Sequence, residues 1–228
     1  MEMKIGIIAE GFADIAIIRA ILSKLKGIDG SDIMNIRPEN QTDETELNEK
    51  NFSNWTLVLK ECSNTGSLSD FFEIFEEERY LVIQIDTAER GENGYDVLSP
   101  QRSGVSDWEA YSEELRNNVI AKIEASVDER FRNRIFYAIC IEETDAWLIP
   151  IWDKHVKDSS QKVRPKETLS GLIARLKDKE RNKLVDTQKK NLNYVELGKV
   201  LKKNLVECRR KNSSLDAFCN SVEKQLVL

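Results

Sequence analysis

The chain has 228 residues, of which 40% are hydrophobic and 32% charged, and its net charge is −6. That is enough sequence for one sizeable core, or one core with a small appended lobe, and the composition is that of a soluble globular protein. With no run of 18 apolar residues and no signal-peptide pattern at the start, a membrane span and a secretory leader are not expected, and a cytoplasmic location is the default.

Residues 4–9 (KIGIIA) form a continuous apolar run, the pattern of a strand buried on both faces. Phe12, Ile15, Ile18, Ile21, Leu22 and Leu25 then recur at helical spacing, and Gly27, Asp29 and Gly30 stop that helix. Residues 31–52 are polar and acidic and read as a long loop. Residues 55–59 are a second, short strand candidate. Residues 67–78, with Leu68, Phe71, Phe72 and Phe75 on one side, read as a helix. Residues 80–85 (YLVIQI) predict a third strand, and residues 86–104, rich in Gly, Asn and Ser, the loop after it. Asp107 can cap a long helix that starts at Trp108, and residues 134–141 (RIFYAICI) predict a fourth strand. A helix then begins within residues 142–152 and is interrupted at Pro150. From residue 166 onward the pattern is helical and basic, with breaks near 191–193 and 212–214.

Strands alternating with helices at this spacing predict an α/β fold: a mainly parallel four-stranded sheet flanked by helices, with a helical C-terminal lobe. The expected division is a sheet domain over residues 1–152 and a basic helical extension over residues 153–228. Residues 151–228 hold 19 Lys/Arg against 10 Asp/Glu, and residues 1–150 hold 15 against 30. An acidic half suits cations and a basic half suits a polyanion. The plainer reading is that the halves attract each other, or that the charges are solvated helix faces. Cys62, Cys140, Cys208 and Cys219 form no C-x-x-C pair and His155 is the single histidine, so a Cys/His zinc site is not expected.

Right-handed crossovers put all C-terminal strand ends on one edge of a parallel sheet, where open α/β sheets place their ligands. Each strong strand here runs into carboxylates. The first meets Glu10, with Asp14 four residues on; the third meets Asp86, with Glu89 and Glu92 nearby; the fourth meets Glu142, Glu143 and Asp145. Converging carboxylates repel and raise one another's pKa values. A hard cation removes both penalties; Mg2+ takes oxygen ligands, and such a metal can generate hydroxide and stabilise charge on phosphate. Each cluster alone also suits a structural role, because acids in a first helical turn meet the helix dipole and Asp at a strand end makes Asx-turns.

Glu10-Gly11-Phe12-Ala13-Asp14, directly after a buried strand, resembles the E-G-x-x-(D/E) motif of Toprim domains, found in topoisomerases, bacterial primases and the OLD (overcoming lysogenisation defect) nucleases. That family's second motif is D-x-D at a later strand end. Here Asp86-Thr87-Ala88 supplies the first Asp, Ala88 stands in place of the second, and Glu89 follows. The segment Glu142-Glu143-Thr144-Asp145-Ala146-Trp147-Leu148 resembles the acidic, tryptophan-containing junction of small Toprim-like proteins of the RloB and AbiL types, often linked to phage defence. Trp147 reads as a packing residue. The resemblance covers residues 3–152. It implies Glu10, Asp14, Asp86 and Asp145 as the metal set, with Glu142, Glu143 and Glu89 as second choices, and Glu10 with Asp86 as catalytic residues. It implies Mg2+ or Mn2+ as cofactor, and hydrolysis of phosphodiester bonds in DNA or RNA, tRNA included. No Walker A motif is present, so an ATPase of the kind OLD nucleases carry would be a separate partner.

Two other readings stand beside this one. A catalytically inactive Toprim-like module that binds or senses a partner is favoured by Ala88. A receiver-like domain with Asp86 as phosphoacceptor would need an acidic pair directly after the first strand and a Lys after a fifth, and neither is clear. Without a His or Ser/Cys dyad, a hydrolase triad is not expected.

Overall fold

The computed structural model describes residues 2–39, 53–74, 77–186 and 191–226. Glu2–Ile8 (β1), Ile33–Arg37 (β2), Glu77–Asp86 (β3) and Ile135–Cys140 (β4) pair in the order β2-β1-β3-β4, all parallel. The two central strands carry the unbroken apolar runs, as strands covered on both faces must.

Phe12–Lys26 (α1) follows β1. Its rows Ile15, Ile18, Leu22 and Ile17, Ile21 are both buried, because the helix lies between the sheet and Tyr194–Arg210 (α7). Lys24 and Lys26 complement the dipole in its last turn, and Gly27 ends it in the left-handed region at φ +62°, where a Cβ would be strained. Gly198 on α7 permits close approach: a Cβ there would lie 3.0 Å from the Ala20 Cβ and 3.3 Å from the Ala16 carbonyl oxygen.

Ser213–Gln225 (α8) completes this layer. Ile5, Ile7, Val82, Phe136 and Ala138 of the sheet share one core with Leu197, Leu201, Leu205, Phe218 and Val222. The helices past residue 152 therefore form a layer of the sheet's own core. Trp147, fully buried, stacks on Phe218 and donates its Nε1–H to Ser214 Oγ at 2.9 Å. On the opposite face, Trp55–Cys62 (α2), Thr65–Phe72 (α3) and Trp108–Glu124 (α4) pack Val58, Phe71, Leu115 and Val119 against Ile8, Leu81, Ile83, Ile85 and Ile139. The period-two alternation of β3 sends Leu81, Ile83 and Ile85 to this side and Val82 to the other. Pro165–Ala174 (α5), Asp178–Leu184 (α6) and the antiparallel pair Val185–Asp186 (β5) and Asn191–Leu192 (β6) lie between β4 and α7 in the chain.

The crossover from β1 to β2 runs through α1 on one face, and that from β2 to β3 through α2 and α3 on the other. Strand order thus reverses between β1 and β3, the switch point where an open α/β sheet forms a crevice.

Four expected elements are corrected. The helix expected over residues 67–78 ends at Phe72, and Glu77 and Glu78 open β3. Residues 33–37, expected in a loop, form the edge strand β2. Residues 55–59 are helical: Trp55, Val58, Leu59 and Cys62 follow i, i+3, i+4, i+7 spacing, and Asn54 Oδ1 accepts the Leu57 N–H at 3.0 Å. Residues 142–152 form two short 3-10 turns, Thr144–Trp147 and Ile149–Ile151, in place of an α-helix. Every side chain from Thr144 to Ile151 is buried, so that segment has no solvent face for an amphipathic helix to present. Residues 40–52 of the expected acidic loop, and Phe75, lie outside the described residues. No helix among the described residues is long and apolar enough to cross a membrane. All four cysteines are buried and unpaired.

Candidate functional site

Parallel register sets Ile8 beside Ile83 and Asp86 beside Cys140, so Glu10 and residues 142–145 emerge on either side of Asp86. Glu10 Oε1 accepts the Asp86 backbone N–H at 2.6 Å, and the Glu10 N–H donates to Gln84 Oε1 at 3.0 Å. Gln84, fully buried, also donates from Nε2 to Asp86 Oδ1 at 2.7 Å and to Thr144 Oγ1 at 3.2 Å. The Thr144 hydroxyl donates to Asp86 Oδ1 at 3.3 Å and is a partner of Asp14 as well. Tyr194, the first residue of α7, donates its hydroxyl to Asp145 Oδ1 at 2.8 Å. A buried amide is costly unless its bonds are made; here they are made, and they join β1, β3 and the turn after β4.

The electrostatics join the same residues. Burial pushes Glu10 up to about 8, against the Asp86 N–H, and the charges of Asp14 and Glu89 add to the rise. Burial pushes Asp14 up to about 6, with Thr144 and Lys166 working in the opposite direction. Asp86 is held well above the usual carboxylate range by burial and then by Asp14, Glu10, Asp145 and Glu143. Burial also pushes Asp145 up to about 6; its bond from Tyr194 opposes this, and Glu143 and Asp14 reinforce it. The structure therefore brings Glu10, Asp14, Asp86 and Asp145 together, with Glu143 and Glu89 at the margin. Lys166 is the cation beside them: its backbone N–H donates to Glu143 Oε2 at 3.0 Å, and its charge eases both Asp14 and Asp145.

Glu142 is placed differently. Its backbone is left-handed at φ +63°, and its carboxylate is bridged by Arg90 at 3.0 Å and by Arg102. Two guanidinium groups already neutralise it, so it serves the loop after β3. Ala88 is exposed and its N–H bonds the Glu142 carbonyl. From the β4 end, Asp145 and Glu143 add to the charge that Asp14 and Glu10 place on Asp86.

Three residues at the site were not singled out from the sequence: Gln84, Thr144 and Tyr194. Gln84 carried a signal, as the one polar residue in YLVIQI. Tyr194 carried none, since only the packing of α7 brings it here; Lys166 was legible as one of the basic C-terminal residues suited to phosphate, and its place beside the acids comes from the packing of α5. Of the basic C-terminal residues, Arg209 pairs with Asp216 and Glu223, Arg210 and Lys211 with Glu207, Lys199 with Glu196, and Lys162 with Asp153. Much of that surplus charge is taken up on the helices' own faces.

Among the described residues, no group of three or more His, Cys, Asp or Glu side chains stands ready to hold a metal ion. The donor set nonetheless suits a hard divalent cation chemically. It is all oxygen, it becomes multiply negative on ionisation, and its protons are held up by burial and mutual repulsion. Glu10, Asp14, Asp86 and Asp145 are the residues that would hold such an ion. No protein-family profile, curated protein or solved structure matches the chain.

Proposed function

We propose that this chain is a divalent-metal-dependent nuclease, hydrolysing phosphodiester bonds of DNA or RNA at the site formed by Glu10, Asp14, Asp86 and Asp145. The observation that carries this reading is the gathering of acids from three strand ends into one electrostatically linked group at the sheet's switch point. Mg2+ or Mn2+ bound there would supply an activated water and a Lewis acid for the phosphoryl oxygen. Gln84 and Thr144 orient the Asp86 carboxylate, and Tyr194 orients that of Asp145. Lys166 stands where it can meet a phosphate oxygen next to those acids. A cytoplasmic anti-phage role, with a separate ATPase as partner, belongs to the same proposal and rests on the Toprim-like motifs.

A second reading is a non-catalytic Toprim-like module that binds or senses a partner. Ala88, which adds no acid where D-x-D has one, favours it. Cleavage of plasmid, single-stranded DNA and tRNA by the purified chain with Mg2+ or Mn2+ decides between them. The nuclease reading expects cleavage that falls at least about a hundredfold in Glu10→Gln and in Asp86→Asn. No cleavage of any of these substrates, together with no metal-induced rise in melting temperature, would leave the binding module.

A further inference from the structure

Two hollows lie end to end, the first adjoining the acidic site through Ala13, Lys166 and Tyr194. One, of about 690 Å3, is framed by the first turn of α1, by α5, α6 and the β5–β6 pair, and by the start of α7; the other, of about 540 Å3, runs along α1 and α7. They meet at Phe12, Ala16 and Val195, which line both. Phe12 is 46% exposed and Val195 61%, so two large apolar side chains stand open to water at the junction. Lys166 lines the first hollow, next to Asp14 and Asp145. Lys202 lines the second, and its ammonium is held by the Ser23 hydroxyl at 3.0 Å, a neutral partner that leaves its charge uncompensated. Arg181 and Lys199 also line the hollows, but Asp178 and Glu196 pair with them; Arg19 lines the second and donates to the Gly30 and Ile33 carbonyls and to Asn35 Oδ1, and Asp186 lines the far end of the first beside Arg181 and Val185. From the first hollow to the second the order is therefore a cation, Lys166, an open aromatic with an apolar neighbour, and then the cations Lys202 and Arg19.

Resting on the reading of the site given above, we infer that this track binds the single-stranded stretch of nucleic acid leading into the site, with one base stacked on Phe12 beside Val195 and backbone phosphates at Lys166 and Lys202. A duplex turns its base faces inward and has nothing to stack on an isolated exposed ring. A single strand offers a base face and a phosphate at each step, matching alternating aromatic and cationic groups.

Fluorescence anisotropy on the full chain in EDTA tests this, with labelled oligothymidylate, oligouridylate and a blunt duplex of equal length as probes. Single strands are expected to bind at least about tenfold more tightly than duplex, and the two single strands compared show whether the sugar matters. Phe12→Ala should weaken single-strand binding about tenfold and leave duplex binding unchanged. Val195→Glu, also at an exposed position, should weaken it too. Lys202→Gln should lower the salt slope by about one counterion. Equal affinity for single strand and duplex, or Phe12→Ala and Val195→Glu binding as the wild type does, overturns the track. Cleavage measured in parallel keeps the two proposals apart. Cleavage without strand preference removes the track and leaves the nuclease; Phe12-dependent single-strand binding without cleavage does the reverse.

Discussion

Glu10→Gln removes one charge from the acidic group and keeps an oxygen to accept the Asp86 N–H, which Glu10 Oε1 now takes at 2.6 Å. In the folded chain Glu10 keeps its proton up to about pH 8, against 4.5 for an unperturbed glutamate. Above pH 4.5 the folded state thus binds more protons than the unfolded state, so stability falls as pH rises from 4.5 to about 8 and levels off beyond. At 1.36 kcal/mol per tenfold, that interval corresponds to roughly 5 kcal/mol at most. Asp14 and Glu89 contribute part of it and can take up protons themselves, so one substitution relieves less, about 2–3 kcal/mol. For a chain of this length each kcal/mol moves the melting temperature by about 2–4 °C. Thermal melts followed by circular dichroism in EDTA should place the variant about 4–12 °C above the wild type at pH 8.5, with the two curves converging near pH 4.5. A variant that melts at or below the wild type at pH 8.5, or by a margin that does not grow with pH, would refute the account of Glu10 as a buried, repelled carboxyl.

Two further substitutions test the frame around the site. Glu142→Ala leaves Arg90 and Arg102 without their shared, buried carboxylate, and urea melts should show a loss of about 3–5 kcal/mol with an unchanged m-value. Gly198→Val pushes a side chain into Ala20 and the Ala16 carbonyl, and should cost about 1–3 kcal/mol in the same assay; wild-type stability would mean that α7 does not rest on α1 as described.

The sheet was largely legible because β1, β3 and β4 are covered on both faces and so carry long apolar runs, broken in residues 80–85 only by Gln84. β2 was not, because it is an edge strand of five residues whose Asn35 and Arg37 break the apolar pattern. Trp55–Cys62 was misread because a five-residue window with Trp55, Leu57, Val58 and Leu59 cannot separate a strand from one helical turn; the Asn54 cap and Cys62 decide it. Local sequence did mark three acidic clusters, at Glu10 with Asp14, at Asp86, and at residues 142–145, since strand ends in a parallel sheet share an edge whatever the details of packing; the choice of Asp145 came from the Toprim-like motifs. It could not separate Asp145 from Glu142, because that depends on the left-handed backbone at Glu142 and on arginines brought in from the loop after β3. Tyr194 is invisible at that level for the same reason: its role comes from a contact between segments distant in the chain, as does the place of Lys166 beside the acids.

That distance has a consequence for how the protein is made. Lys202 reaches Ser23 across 179 residues, and Lys26 reaches the Glu223 carbonyl across 197. During synthesis the sheet-forming segments leave the ribosome before α7 and α8, so the outer face of α1, with Ile17 and Ile21, stays uncovered until those helices emerge. Long-range closure of this kind is slow and leaves apolar surface exposed in the interim. The nascent chain therefore passes through a stage at which all four main strands exist and their covering layer does not. At that stage Asp145 also lacks the hydroxyl that aims it, since Tyr194 is the first residue of α7.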